Sequence, residues 1–114
     1  MARLLEVEQC RGVTWARIVL EKIDSEMMEP LSKELHALVQ KNTILLLDLA
    51  QVNYLFSEVL ELILRLNKKL KKTKGKLALC GPQPTVREIL FTTRFDKIMP
   101  IFSDENEAFQ ALST

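Results

Sequence analysis

At 114 residues, with 47% apolar and 27% charged side chains, the chain is sized for one domain with a packed core, which excludes a disordered tract. Its net charge of +1 excludes a global electrostatic pull toward nucleic acid. Charge interrupts Met1 to Glu8 too early for a signal h-region, and no apolar stretch nears the roughly 18 residues of a membrane helix, so a cytoplasmic chain with Cys10 and Cys80 as reduced thiols is expected.

Leu4 to Gln9 alternates, with Leu5 and Val7 set against Glu6 and Glu8, which predicts a half-exposed edge strand. Arg11-Gly12 reads as a turn. Val13 to Leu20 is apolar on both faces apart from Thr14 and Arg17, which predicts an interior strand joined to the first as an antiparallel hairpin. Either Asp24 or Ser25 can cap the first helix, whose apolar stripe is Met27, Met28, Leu31, Leu35, Leu38 and Val39. Pro30 would cost about 3 kcal/mol inside a helix, which argues for a start later than Ser25. His36 falls beside the stripe and reads as solvent-flanking.

The chain is organised around Thr43 to Thr73. Thr43 to Leu49 is a short apolar run of buried-strand length, ending in Asp48 and Leu49. Residues 50–56 show neither helical period nor alternation and read as an exposed corner. The run from Ser57 through Leu66 opens a helix with apolar residues at 59, 62, 63, 66 and 70. Ser57 is placed at its N-cap, where a hydroxyl caps well and an added anion is favoured by the open N–H groups. Asp48 is assigned a structural role, accepting hydrogen bonds from the following turn.

Six lysines, at 68, 69, 71, 72, 74 and 76, close this helix, with Gly75 as its stop. Without interleaved aromatic residues they read as a solvated helix end rather than a nucleic-acid patch. Lys76 to Cys80 is the next strand and Gly81 to Pro84 a turn. Thr85-Val86-Arg87-Glu88 fits a capping box before a short helix with Val86, Ile89 and Leu90 inward. Ile98 to Phe102 is the last strand, and Asp104 with Glu107 opens a final helix carrying Ala108, Phe109 and Leu112. The order ββαβαβαβα predicts a single α/β domain over residues 1–114. Its mixed, mostly parallel sheet has four to five strands, with about four helices.

Chemistry-bearing patterns are sparse. One histidine and two distant cysteines give no metal-ligand spacing, and Gly12, Gly75 and Gly81 are too scattered for a phosphate-binding loop or a dinucleotide fingerprint. Asp48 could be a phospho-accepting aspartate, but the preceding strand ends Ile18-Val19-Leu20, without acidic partners for a divalent cation. These absences argue against an enzyme and imply no cofactor or metal.

The run Leu47-Asp48-Leu49-Ala50-Gln51-Val52-Asn53-Tyr54-Leu55-Phe56-Ser57 resembles the central signature of STAS domains, the sulfate-transporter and anti-sigma-factor-antagonist family. There, a strand ending Asp-Leu-Ser leads to an Asp-Ser-[Ser/Thr]-Gly-Leu corner that opens a helix. Ile23-Asp24, Gly75 to Gly81, Val86 to Leu90, Phe95 to Ile98 and Ser103 to Ala108 resemble other family segments in order and spacing, so the likeness spans nearly the whole chain. It implies a non-enzymatic binding module. The best-known members bind a serine kinase that sequesters a sigma factor, and phosphorylation of a corner serine breaks the complex.

The matching position is Ser57, the candidate phosphoacceptor. Asn53, Tyr54, Phe56, Glu58 and Val59 are the candidate partner-binding residues. Phe56 stands where the family usually has Asp, Glu58 where Ser or Thr is common, and Val59 and Arg94 where Gly is usual. Glu58 sets a permanent negative charge beside the hydroxyl, which predicts a constitutive binder, or one with a divergent partner, that is poorly phosphorylated. The expected partner is an anti-sigma factor or serine kinase, not nucleic acid or a membrane. The alternative is a nucleotide- or phosphate-binding regulatory domain using the helix start and the lysines.

Overall fold

The computed structural model of the chain describes residues 3–41 and 44–113. Thr43, read as the first residue of the central strand, lies outside them. The elements run β1 (Leu5–Cys10), β2 (Val13–Ile18), α1 (Ser25–Lys41), β3 (Ile44–Asp48), α2 (Ser57–Lys72), β4 (Lys76–Cys80), α3 (Pro84–Thr92), a 3-10 turn (Phe95–Lys97), β5 (Ile101–Phe102) and α4 (Glu105–Leu112). This is the order read from the sequence.

The five strands form one sheet in sequence order, β1-β2-β3-β4-β5. β1 pairs antiparallel with β2, and the remaining pairings are parallel, as crossover connections require. The β1–β2 link is two residues, Arg11 and Gly12, both with positive φ (53° and 80°), the conformation that matches strand twist in tight hairpins.

β3 shows why its sequence is apolar throughout. Leu45 and Leu47 face the larger core, and Leu46 faces the smaller one on the opposite side of the sheet. The larger core contains the inward residues of α1, α2 and α3, together with Phe95 and Met99. The smaller core packs Val13, Trp15, Leu46, Ala78 and Cys80 against Ala108, with Phe109 and Leu112 at its margin. A strand covered on both faces needs no polar alternation. β1 alternates only partly, because Val7 is exposed on the edge strand while Leu5 is buried.

Local departures from the sequence reading have identifiable causes. α1 does start at Ser25, because Oδ1 of Asp24 accepts the N–H groups of Glu26 (3.1 Å) and Met27 (3.2 Å); Pro30 is carried within the helix on its exposed side. α3 uses no capping box. It begins at Pro84, whose fixed φ suits the first helical position, after Gln83 as N-cap without a side-chain cap bond. β5 is only Ile101–Phe102, because the N–H groups of Ile98 and Met99 both turn back to the Phe95 carbonyl.

α2 ends in a Schellman arrangement, with Gly75 N–H donating to the Leu70 carbonyl (2.7 Å) and Lys74 N–H to that of Lys71 (3.2 Å). The left-handed residue is therefore Lys74 (φ 61°), one place before the glycine. At the last helix the sequence and structure agree: Asp104 is the N-cap and its Oδ1 accepts the Glu107 N–H at 2.8 Å.

Candidate functional site

The corner lies at the C-terminal end of β3, beside the neighbouring β4. Leu49, Val52 and Leu55 point inward at three-residue intervals and are buried, so the segment is pegged to the core without being regular structure. Its backbone is tied at both sides. Leu49 N–H donates to the Cys80 carbonyl (3.0 Å), and Asn53 N–H to that of Glu21 (2.8 Å). The Gln83 amide donates to the Ala50 carbonyl at 2.9 Å. The residues between and just after the pegs face outward: Asn53, Tyr54, Phe56, Ser57 and Glu58 are all exposed.

Phe56, not Ser57, is the N-cap of α2, with φ −83° and ψ 163° and no side-chain cap bond. Ser57 is the first helical residue. The Phe56 carbonyl already accepts the N–H groups of Val59 (3.0 Å) and Leu60 (3.2 Å), which places the helical boundary one residue earlier than a hydroxyl-based reading does. The phenylalanine side chain offers no acceptor, so the first N–H groups of α2 receive no side-chain cap from it. Among the described residues no hydrogen bond involves the Ser57 hydroxyl. It is an exposed alcohol on the first turn of a helix, where a negative group is electrostatically favoured.

Phe56 is 42% exposed and stacks edge-on with Tyr54, ring centroids 4.9 Å apart at 60°. The two rings form a small aromatic knob beside Ser57. Val59, read from sequence as part of the partner-facing set, is only 1% exposed, because it occupies the first inward position of the α2 stripe. Its contribution outside the core is to line a groove of about 210 Å³ between the starts of α1 and α2, shared with Lys22, Asp24, Met28, Phe56 and Glu58. Met28 and Glu58 also border a second depression of about 340 Å³ along the two helices, with Glu61 and Arg65. The exposed corner and this helix pair thus make a continuous surface.

Asp48 supports the corner from below and is 2% exposed. Its Oδ1 accepts the Ala50 N–H at 2.9 Å. Its Oδ2 accepts the Trp15 indole N–H at 3.0 Å and the Arg17 Nε at 3.1 Å, and forms an ion pair with Arg17 Nη2 at 3.0 Å. The Arg17 guanidinium lies 5.0 Å from the Trp15 ring centroid. Partial burial pulls the Arg17 pKa down, but Asp48, with Glu105 and Glu6, outweighs this and leaves it raised. Gly81 (φ +67°) fits against this cluster, where a side chain's Cβ would sit 3.4 Å from Asp48 Oδ1. Trp15 and Arg17, two residues apart on β2, share one strand face, and nothing in the local sequence connects them to Asp48.

The other chemistry-bearing residues lie apart from the corner. His36 Nδ1 is 3.2 Å from Lys69 Nζ, and its pKa is lowered by burial and by the charges of Lys69 and Arg65. Burial, with Asp48 and Glu105 nearby, pushes the Cys80 thiol up to about 12, while Cys10 is exposed and free. Among the described residues no three His, Cys, Asp or Glu side chains group as metal ligands, and no helix is long and apolar enough to cross a membrane.

A strand-end aspartate, a pegged corner and a serine opening the next helix, on a five-stranded sheet with α4 packed on its second face, define a STAS-type scaffold. The STAS domain family model matches residues 5–108, and the chain belongs to that family. It is 33% identical over 93 residues to BtrV of Bordetella bronchiseptica, a candidate anti-sigma factor antagonist, covering 81% of this chain and 80% of that one. It is 27% identical over 110 residues to an anti-sigma F factor antagonist of Paenibacillus polymyxa, covering 95% and 93% of the two chains. Among solved structures it resembles an anti-sigma-factor antagonist (STAS) domain protein from Planctomyces limnophilus, with a TM-score of 0.88, 27% identity, and 96% and 98% coverage. The chain is an anti-sigma-factor-antagonist-like STAS domain.

Proposed function

We propose that the chain is a cytoplasmic, non-enzymatic antagonist that binds an anti-sigma factor of the serine-kinase type through residues 53–60. The observation that carries this reading is the Tyr54–Phe56 aromatic knob held exposed next to the Ser57 hydroxyl on a corner pegged by Leu49, Val52 and Leu55. Apolar aromatic anchors beside polar groups are the composition of an interface centre. The likeness to two antagonists supports the class of partner.

Ser57 is the residue a partner kinase would phosphorylate. A phosphate there is compatible with the helix dipole, so its effect falls on the partner through repulsion and desolvation. Glu58 already puts one negative charge on the same turn. The unphosphorylated protein is therefore the binding form, and phosphorylation is slow.

The alternative reading, a nucleotide or phosphate site built from the helix start and the lysines together, conflicts with the length of α2. Its 16 residues span about 24 Å, so Ser57 and the lysines lie at opposite ends.

The test is calorimetric titration of a serine-kinase-type anti-sigma factor from the same organism with wild type, Phe56→Ala and Ser57→Asp, followed by a kinase assay. Phe56→Ala is expected to weaken binding at least 10-fold and Ser57→Asp to weaken it comparably. Glu58→Ser is expected to accelerate labelling; Phe56 is kept because it is the binding anchor, and Val59 because it is in the core. Tight binding by both single variants, or labelling that persists in Ser57→Ala, overturns the reading.

A further inference from the structure

The sheet has a gap at the end opposite the corner. β5 pairs only with Leu79 and Cys80, so among the described residues no strand lies beside Lys76–Ala78 on that side. The gap opens into a groove of about 350 Å³ between the end of α2, the start of β4, the approach to β5 and the end of α4. That volume is at the lower end of small-molecule sites. Its walls are hydrocarbon from Leu77, Ile98, Phe102 and Leu112, and Ile98 is an exposed large apolar residue.

Two features make this more than an apolar dent. Asn67 lines it and is only 6% exposed; among the described residues no fully buried side-chain nitrogen or oxygen lacks a partner, so its amide, without a protein partner, is open to the groove. It stands on the α2 stripe four residues after Ile63, where the pattern calls for an apolar side chain. An amide set in an apolar wall and open to the groove offers a hydrogen bond to a polar group that enters it. The second feature is charge. Lys71 and Lys76 line the groove and no acidic side chain does. Lys68, Lys72 and Lys74 are exposed on the same helix end.

We propose that this groove binds a medium-chain fatty carboxylate. The alkyl chain lies along Leu77, Ile98 and Phe102, and the carboxylate meets the Asn67 amide N–H and the Lys71 and Lys76 ammonium groups. A hydrocarbon tail satisfies the walls, and an anionic acceptor satisfies both the amide and the lysines. The site is separate from the 53–60 corner, so it stands or falls independently of the antagonist reading.

The experiment is a titration of the ¹⁵N-labelled full chain with sodium decanoate, kept below its micelle concentration, with decanol as the uncharged control. Saturable shifts are expected at Gly75, Leu77, Ile98 and Phe102, with decanol at least 10-fold weaker. Ile98→Glu, at an exposed position that leaves the core untouched, is expected to abolish binding. Lys71→Ala with Lys76→Ala is expected to weaken binding at least 10-fold, and Asn67→Leu to weaken it with the melting temperature retained or raised. Decanoate shifts that do not saturate or that scatter over the surface overturn the proposal. So does equal affinity for decanol, or undiminished binding by Ile98→Glu.

Discussion

Asp48→Asn is nearly isosteric, and the sequence alone suggests a mild change, because an amide oxygen can still accept the Ala50 N–H. The geometry argues otherwise. The other carboxylate oxygen receives the Trp15 indole N–H and the Arg17 guanidinium, so an asparagine amide facing them presents a donor to donors. Turning the amide over restores those contacts and orphans the Ala50 N–H instead. Arg17 is partly exposed and can return to water, so its loss is discounted. Trp15 is buried, and an unsatisfied buried donor costs about 1–3 kcal/mol. Adding the weakened charge-assisted bond gives an expected loss of about 2–4 kcal/mol. Urea unfolding followed by circular dichroism measures it. Because Trp15→Phe deletes the donor at issue, Asp48→Asn is expected to cost about 1–2 kcal/mol less in that background. A single-variant loss below about 0.5 kcal/mol, or no difference between backgrounds, refutes the assignment of the Oδ2 contacts as stabilising.

Lys74 and Arg94 hold left-handed conformations (φ 61° and 64°) that glycine adopts freely, so Lys74→Gly and Arg94→Gly are each expected to raise stability by about 1 kcal/mol in urea melts. Ser57→Asp adds charge at a favourable helix start and is expected to change stability by no more than about 0.5 kcal/mol; a loss above about 2 kcal/mol makes Ser57 a structural residue. The lowered folded pKa of His36 means the fold resists its protonation. That part of the stability is intact above the unfolded value of about 6.5 and is lost as pH falls from there through the folded value. Wild type is therefore expected to lose melting temperature relative to His36→Gln on acidification through that window.

The order of elements was legible because each signal is local. β3 is an uninterrupted apolar run, α2 repeats its apolar residues at helical spacing, and Asp104 with Glu107 marks a helix start within one turn. The corner was also legible as a segment, since residues 50–56 fit neither period. Within it, the hydroxyl of Ser57 suggested a cap, but the helix starts one residue earlier, where the Phe56 carbonyl takes up the first bonds.

Burial and long-range pairing were decided only by the tertiary structure. Val59 carries no mark that distinguishes a partner-facing valine from a core one; the rotation of α2 against the sheet buries it. Asp48 meets Trp15 33 residues away because parallel pairing sets Arg17 opposite Asp48, and no sequence period reports a contact between strands separated by a crossover helix. Asn67 entered a buried stripe unnoticed because periodicity counts apolar residues and passes over a polar one. The brevity of β5 depends on where Ile98 and Met99 send their N–H groups, a competition between turn and sheet that composition does not resolve. Local chemistry thus determined which segments are strands and helices, while the packing of those segments determined which side chains remain available to a partner.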